Sequence, residues 1–155
     1  MAEQANRLDE MLSMDVTPPS LIIHLRQLSQ EDANENYKLQ LAMALSKSNI
    51  EENKREAVQL LRSLLQNPEY TRDAFYNLSL TLYSLGNYEQ ARQYSEELLR
   101  QEPDNIQLEE LHQAVLFKHK ERMKSNENAA TIGVSVGVGV LAAAMYILLK
   151  SSSKK

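Results

Sequence analysis

Cysteine does not occur in the 155 residues, which removes disulfide frameworks, thiolate catalysis and Cys-ligated metal sites together. Tryptophan is also absent, phenylalanine occurs twice, and glycine and proline occur four times each. Such a composition suits a helical protein and disfavours β-sandwiches and Gly-rich nucleotide folds. Three of the four glycines fall between Gly133 and Gly139, so Gly86 stands alone in everything that precedes them. A phosphate-cradling Gly-rich loop has no place there, and no G-x-S-x-G, H-E-x-x-H or P-loop pattern occurs. The histidines are His24, His112 and His119. Glu109-x-x-His112 matches one half of a di-iron carboxylate site whose second half is missing. These absences predict a chain with no catalytic, cofactor or metal site, and not an enzyme.

Charge is unevenly spread. Lys and Arg number 17 against 21 Asp and Glu, a net of −4. Residues 1–117 carry 10 basic and 19 acidic side chains, whereas residues 118–155 carry 7 and 2. An acidic body repels phosphate backbones, so no nucleic-acid partner is expected for it.

The basic end flanks a greasy segment. Ala129–Leu149 reads AATIGVSVGVGVLAAAMYILL, 21 residues without a charge. As a helix it would span roughly 30 Å, the hydrocarbon thickness of a bilayer. Lys118, Lys120, Arg122 and Lys124 precede it, and Lys150, Lys154 and Lys155 follow it, placed to meet anionic headgroups. With only 150–155 beyond the span, the pattern predicts a tail anchor that leaves the body in the cytosol. Residues 1–30 show no secretory or matrix-targeting signal. The small residues Gly133, Gly137 and Gly139 allow close helix packing, so contact between copies through the anchor is a further expectation.

The body reads as amphipathic helices. Leu8, Met11 and Leu12 give residues 1–16 a short apolar stripe, an N-terminal arm. Thr17-Pro18-Pro19 then breaks the chain, with Thr17 expected as N-cap of a helix whose stripe is Leu21, Leu25 and Leu28. Further helices are predicted near Ala33–Lys47, Ile50–Gln66, Thr71–Leu85, Tyr88–Gln101 and Asn105–Ser125. The last has Leu108, Leu111, Ala114 and Val115 as its stripe.

An internal repeat is more informative. Ala57, Leu64 and Leu65 recur at one common spacing as Ala91, Leu98 and Leu99. Leu41 and Leu45 recur as Leu78 and Leu82, at a spacing longer by three. The difference is expected in the turn around Ser48–Asn53. A helix–turn–helix period of about 34 residues marks the tetratricopeptide (TPR) repeat. In the second unit Phe75, Leu78, Gly86, Tyr88, Ala91 and Pro103 follow that template, while Ser79, Leu82 and Ser95 depart from it. The prediction is an all-α, TPR-like bundle of about six helices over residues 17–125, two TPR-like units with flanking helices, plus the membrane helix at 129–149 and the basic tail at 150–155.

The first helix of each TPR unit lines a concave face. The two inward positions are Leu39 and Met43 in the first unit, Tyr76 and Leu80 in the second, with Tyr83 one turn on. An apolar strip of this kind suits a partner helix or extended peptide. The arm, through Leu8, Met11 and Leu12, is the alternative occupant and could gate the strip. Asn77-Leu78-Ser79 matches a glycosylation acceptor but falls inside a predicted helix of a cytosolic body.

Taken together, these features resemble the mitochondrial fission 1 protein family. The likeness is densest from Phe75 to Leu111: Phe75, Tyr76 and Leu78, then Leu85, Gly86, Tyr88, Ala91, Tyr94, Leu98 and Leu99, then Glu102-Pro103-x-Asn105-x-Gln107 and Leu111. Leu41-Ala42-Met43, Thr81 and the Thr17-Pro18-Pro19 break depart from that family. The resemblance implies an adaptor on the mitochondrial outer membrane, and often on peroxisomes. It also implies recruitment or regulation of dynamin-related GTPase machinery, directly or through other adaptors, to promote organelle fission. The family's concave contact surface would coincide with Leu39, Met43, Tyr76, Leu80 and Tyr83. A tail-anchored TPR receptor for mitochondrial precursor proteins is the alternative. A chaperone-docking TPR would need basic inner positions, which are absent.

Overall fold

A computed structural model of the chain describes residues 1–127, among which there are seven helices and no strand. They are α1 (Ala2–Met14), α2 (Pro19–Glu31), α3 (Glu35–Ser46), α4 (Glu51–Leu64), α5 (Thr71–Ser84), α6 (Tyr88–Gln101) and α7 (106–127). Met1–His119 forms one compact unit; of the second, Lys120–Lys155, residues 120–127 are described and are helical. The expected span Ala129–Leu149, with Gly133, Gly137 and Gly139, and the lysines Lys150, Lys154 and Lys155 lie outside the described residues. Among the described residues no helix is long and apolar enough to cross a membrane.

Helices α2 to α6 pack in chain order, each on the next, and α3 also meets α5. Burial reproduces both repeat spacings. Leu41 and Leu45 are buried, as are Leu78 and Leu82; Ala57, Leu61 and Leu64 are buried, as are Ala91, Ser95 and Leu98. The extra length of the first unit becomes helix, because α4 starts at Glu51, well before Ala57, while α6 starts at Tyr88, one turn before Ala91. Gly86 closes the second unit at φ 72°, the left-handed geometry that glycine adopts without strain. Its N–H donates to Tyr83 O at 2.9 Å and that of Asn87 to Leu82 O at 2.8 Å, the paired bonds of a Schellman cap. The first unit has no glycine there. Buried Ser48 instead accepts from the Ile50 N–H at 3.1 Å and Asn53 Nδ2 at 2.9 Å.

Two of the template departures, Ser79 and Ser95, and the family departure Thr81 are buried hydroxyls with partners. Ser79 Oγ donates to Ala91 O at 3.2 Å, Thr81 Oγ1 to Asn77 O at 2.6 Å, and Ser95 Oγ to Arg92 O at 3.0 Å. Each avoids the roughly 1–3 kcal/mol cost of an unsatisfied buried group. Asn77 is itself buried, its amide donating to Asp73 O, so the Asn77-Leu78-Ser79 acceptor pattern sits in packed helix.

Two expectations need correction at α2. Pro18, with ψ 138°, is the N-cap and Pro19 the first helical residue, while Thr17 is buried and its N–H donates to Lys47 O at 3.2 Å. The buried stripe is Ile22 and Leu25, with Leu28 half-buried and Leu21 exposed. Three apolar residues in succession (Leu21, Ile22, Ile23) admit more than one stripe, and packing on α3 selects the middle one. The α7 stripe Leu108, Leu111, Ala114 and Val115 is buried as predicted.

Candidate partner-binding groove

Helix α1 lies over the face expected to carry the apolar strip Leu39, Met43, Tyr76, Leu80 and Tyr83. Ala5 is fully buried, and Leu8 and Leu12 pack half-buried against the main core. That core includes Leu39 and Tyr83, which are 8% and 3% exposed and are therefore floor rather than open lining. The Tyr83 ring meets Tyr88 edge-on at 5.5 Å. Met43, Tyr76 and Leu80 remain accessible around α1.

Polar groups tether the helix. Tyr83 Oη donates to Asp9 Oδ1 at 2.8 Å, and Lys118 Nζ meets Asp9 Oδ2 at 2.8 Å. Arg7 pairs with Glu110 at 2.6 Å, and Lys47 with Asp15 at 2.7 Å. The three ion pairs are partly to largely exposed, where each contributes about 0–1 kcal/mol. Against them, Gln4 Oε1 is buried with no hydrogen-bond partner among the described residues. The covering is thus a shallow one, with few apolar anchors and one unsatisfied acceptor.

Space remains beside α1. A hollow of about 430 Å³ is lined by Met11, Met43, Arg72, Tyr76, Leu80 and Gln107, among others; a second, of about 280 Å³, shares Met11, Tyr76, Leu80 and Gln107. Met11 is 45% exposed and Met43 37%. Flexible thioethers and one aromatic ring beside open volume suit an apolar side chain brought by a partner.

Gln107, Arg72 and Asp15 line this region without having been expected, and the Glu102-Pro103-x-Asn105-x-Gln107 string accounts for two of them. Glu102 receives Arg72 NH2 at 3.1 Å and Asn105 Nδ2 at 2.8 Å, and these bonds, Arg72's foremost, hold its carboxyl down at about 2. Asn105 caps α7, its Oδ1 accepting from the Gln107 and Leu108 N–H groups at 3.1 and 3.3 Å. The string therefore builds the α6–α7 turn and sets Gln107 at the rim. His112 Nδ1 lies 2.9 Å from Ser95 Oγ, and burial holds its imidazole below the ordinary range, a packing role between α6 and α7. Among the described residues no group of three or more histidine, aspartate or glutamate side chains is placed to hold a metal ion.

Known proteins are similar to this chain in sequence and fold. A family model described as the Fis1 C-terminal tetratricopeptide repeat matches residues 72–121. The chain is 36% identical over 120 residues to the mitochondrial fission 1 protein of Neurospora crassa, covering 76% of this chain and 75% of that one. The crystal structure of fission protein Fis1 from Saccharomyces cerevisiae superposes with a TM-score of 0.69 at 25% identity, over 74% of this chain and 95% of that one. Yeast Fis1 in complex with an Mdv1 fragment containing the N-terminal extension and coiled-coil domains superposes at 0.67 and 26%, over 72% and 94%. By sequence and by fold, the chain belongs to the mitochondrial fission 1 protein family.

Proposed function

We propose that the chain is a non-enzymatic adaptor, anchored by 129–149 in the mitochondrial outer membrane with its helical body in the cytosol. There it recruits dynamin-related fission machinery, through an adaptor akin to the Mdv1 that yeast Fis1 binds. Peroxisomal membranes are a second site of action in the same reading. The observation that carries the proposal is the partly covered apolar groove, with Met43, Tyr76 and Leu80 beside a hollow of about 430 Å³, in a member of the fission 1 family. An amphipathic partner helix would place an apolar residue in the hollow and either displace α1 or lie along it.

The alternative, a receptor for mitochondrial precursor proteins, would use the same groove. Affinity isolation with the full chain separates the two: enrichment of dynamin-related GTPase and its adaptors supports fission, enrichment of import precursors supports the receptor. Leu80→Glu puts a charge against the apolar floor and is expected to abolish capture while leaving the helical spectrum intact. Wild-type capture by the folded variant would remove the groove from the account.

A further inference from the structure

The contacts of α1 define the kind of helix the groove accepts. Its polar groups reach three other helices: Arg7 meets Glu110 of α7, Asp9 meets Tyr83 of α5 and Lys118 of α7, and Asp15 meets Lys47 near the end of α3. Between them Ala5 is fully buried, and Leu8 and Leu12 pack on the core. Arg72, the other cation lining the larger hollow, is held by Glu102. An incoming helix therefore meets positive charge at Lys47 and Lys118, negative charge at Glu110, and an apolar floor. One position of α1 fits badly. Gln4 lines the smaller hollow, and its Oε1 is buried with no hydrogen-bond partner among the described residues. Such an acceptor opposes docking, whereas an apolar side chain in its place favours it. Leu8 and Leu12 follow Gln4 at steps of four, so that side chain would lengthen their stripe by a turn.

We propose, resting on the reading of the groove as a partner site, that it selects a helix which copies the face of α1 and corrects it. That helix is apolar where α1 has Gln4, small at Ala5, basic at Arg7, apolar at Leu8, acidic at Asp9, apolar at Leu12 and acidic at Asp15. It displaces α1, because both helices claim the same side chains. Being attached to the body, α1 stands over the groove at high effective concentration. A separate helix with the same face and no better fit loses that competition. The apolar residue at the Gln4 position is the feature that lets a partner win it.

Lys118 is the charge to reverse, since its side chain, 24% exposed, is the most sheltered and least screened of these ions. Fluorescent peptides of residues 1–16 carrying Gln4→Leu, with or without Asp9→Lys, are titrated into the full chain in mild detergent. The chain is used once as Asp9→Ala, which loosens α1 and keeps Lys118, and once as Lys118→Glu, each with its helical spectrum intact. The expected result is severalfold tighter binding of the peptide that keeps Asp9 to the first chain, and the opposite preference in the second. Against the first chain, a peptide that keeps Gln4 should bind severalfold more weakly than its Gln4→Leu counterpart. Gln and Leu have similar helix propensities, so that difference reports the groove. Failure of the preference to reverse, binding of neither peptide, or equal binding with Gln4 and with Gln4→Leu overturns the proposal. No fission protein enters this assay, so its failure is distinct from a failure of the chain to capture fission machinery.

Discussion

Asp9 joins three parts of the chain: one carboxylate oxygen accepts from Tyr83 on α5 and the other pairs with Lys118 on α7. A hydrogen bond to a charged group contributes about 1.5–3 kcal/mol and an exposed ion pair about 0–1. Because Asp9 is half exposed, Asp9→Ala is expected to weaken α1 docking by about 1–2 kcal/mol, roughly 5–30-fold in its opening equilibrium. Amide hydrogen exchange checks this: residues of α1 should exchange faster by that factor while the middle of α5 is unchanged. Equal exchange in α1 would show that the apolar anchors alone hold it. The stripe Leu8, Met11 and Leu12 is legible in the sequence but the role of Asp9 is not, since its partners lie far along the chain and such pairing leaves no periodic trace. Tyr83 differs from expectation for a related reason. Its spacing from Leu80 points into the concavity, yet α1 and Tyr88 bury it.

At the scale of elements, the repeat was legible because the same residues that set its period form the core. Ala91 is fully buried where α5 and α6 cross, and Ser79 Oγ reaches its carbonyl. Ala91→Leu should destabilise the domain by about 1–3 kcal/mol through overpacking, read as a lower urea midpoint with an unchanged slope; an unchanged midpoint would contradict such close packing. The α6–α7 turn makes a pH prediction. The Glu102 carboxyl titrates at about 2 when folded against 4.5 ordinarily, so its bonds to Arg72 and Asn105 stabilise the fold above the ordinary value and are lost as pH falls toward 2. The melting-temperature gap between wild type and Glu102→Gln should be constant from about pH 7 to 5 and close on further acidification. A gap of undiminished size at pH 2 would contradict this assignment. The cap of α2 was less legible, because Thr17 is a good N-cap type and only the tertiary bond to Lys47 shows that it is used elsewhere.

For the whole molecule, one end is acidic and carries the groove, and the other is basic and flanks the 21-residue apolar run. In the proposed reading the two ends divide the work, address at one and recruitment at the other. A fluorescent fusion of residues 118–155 should then collect on mitochondria, and a diffuse cytosolic signal would contradict the anchor. Deleting residues 1–16 uncovers Leu39 and Tyr83 and should change the affinity for a fission adaptor; an unaltered dissociation constant would dispose of gating by α1. The most direct test is the amount of dynamin-related GTPase on mitochondria in cells whose own copy is replaced by this chain or by its Leu80→Glu variant. Wild-type chain should restore GTPase foci and a divided network, and the folded, correctly located variant should leave the network fused. Equal foci with both chains would contradict recruitment through the groove.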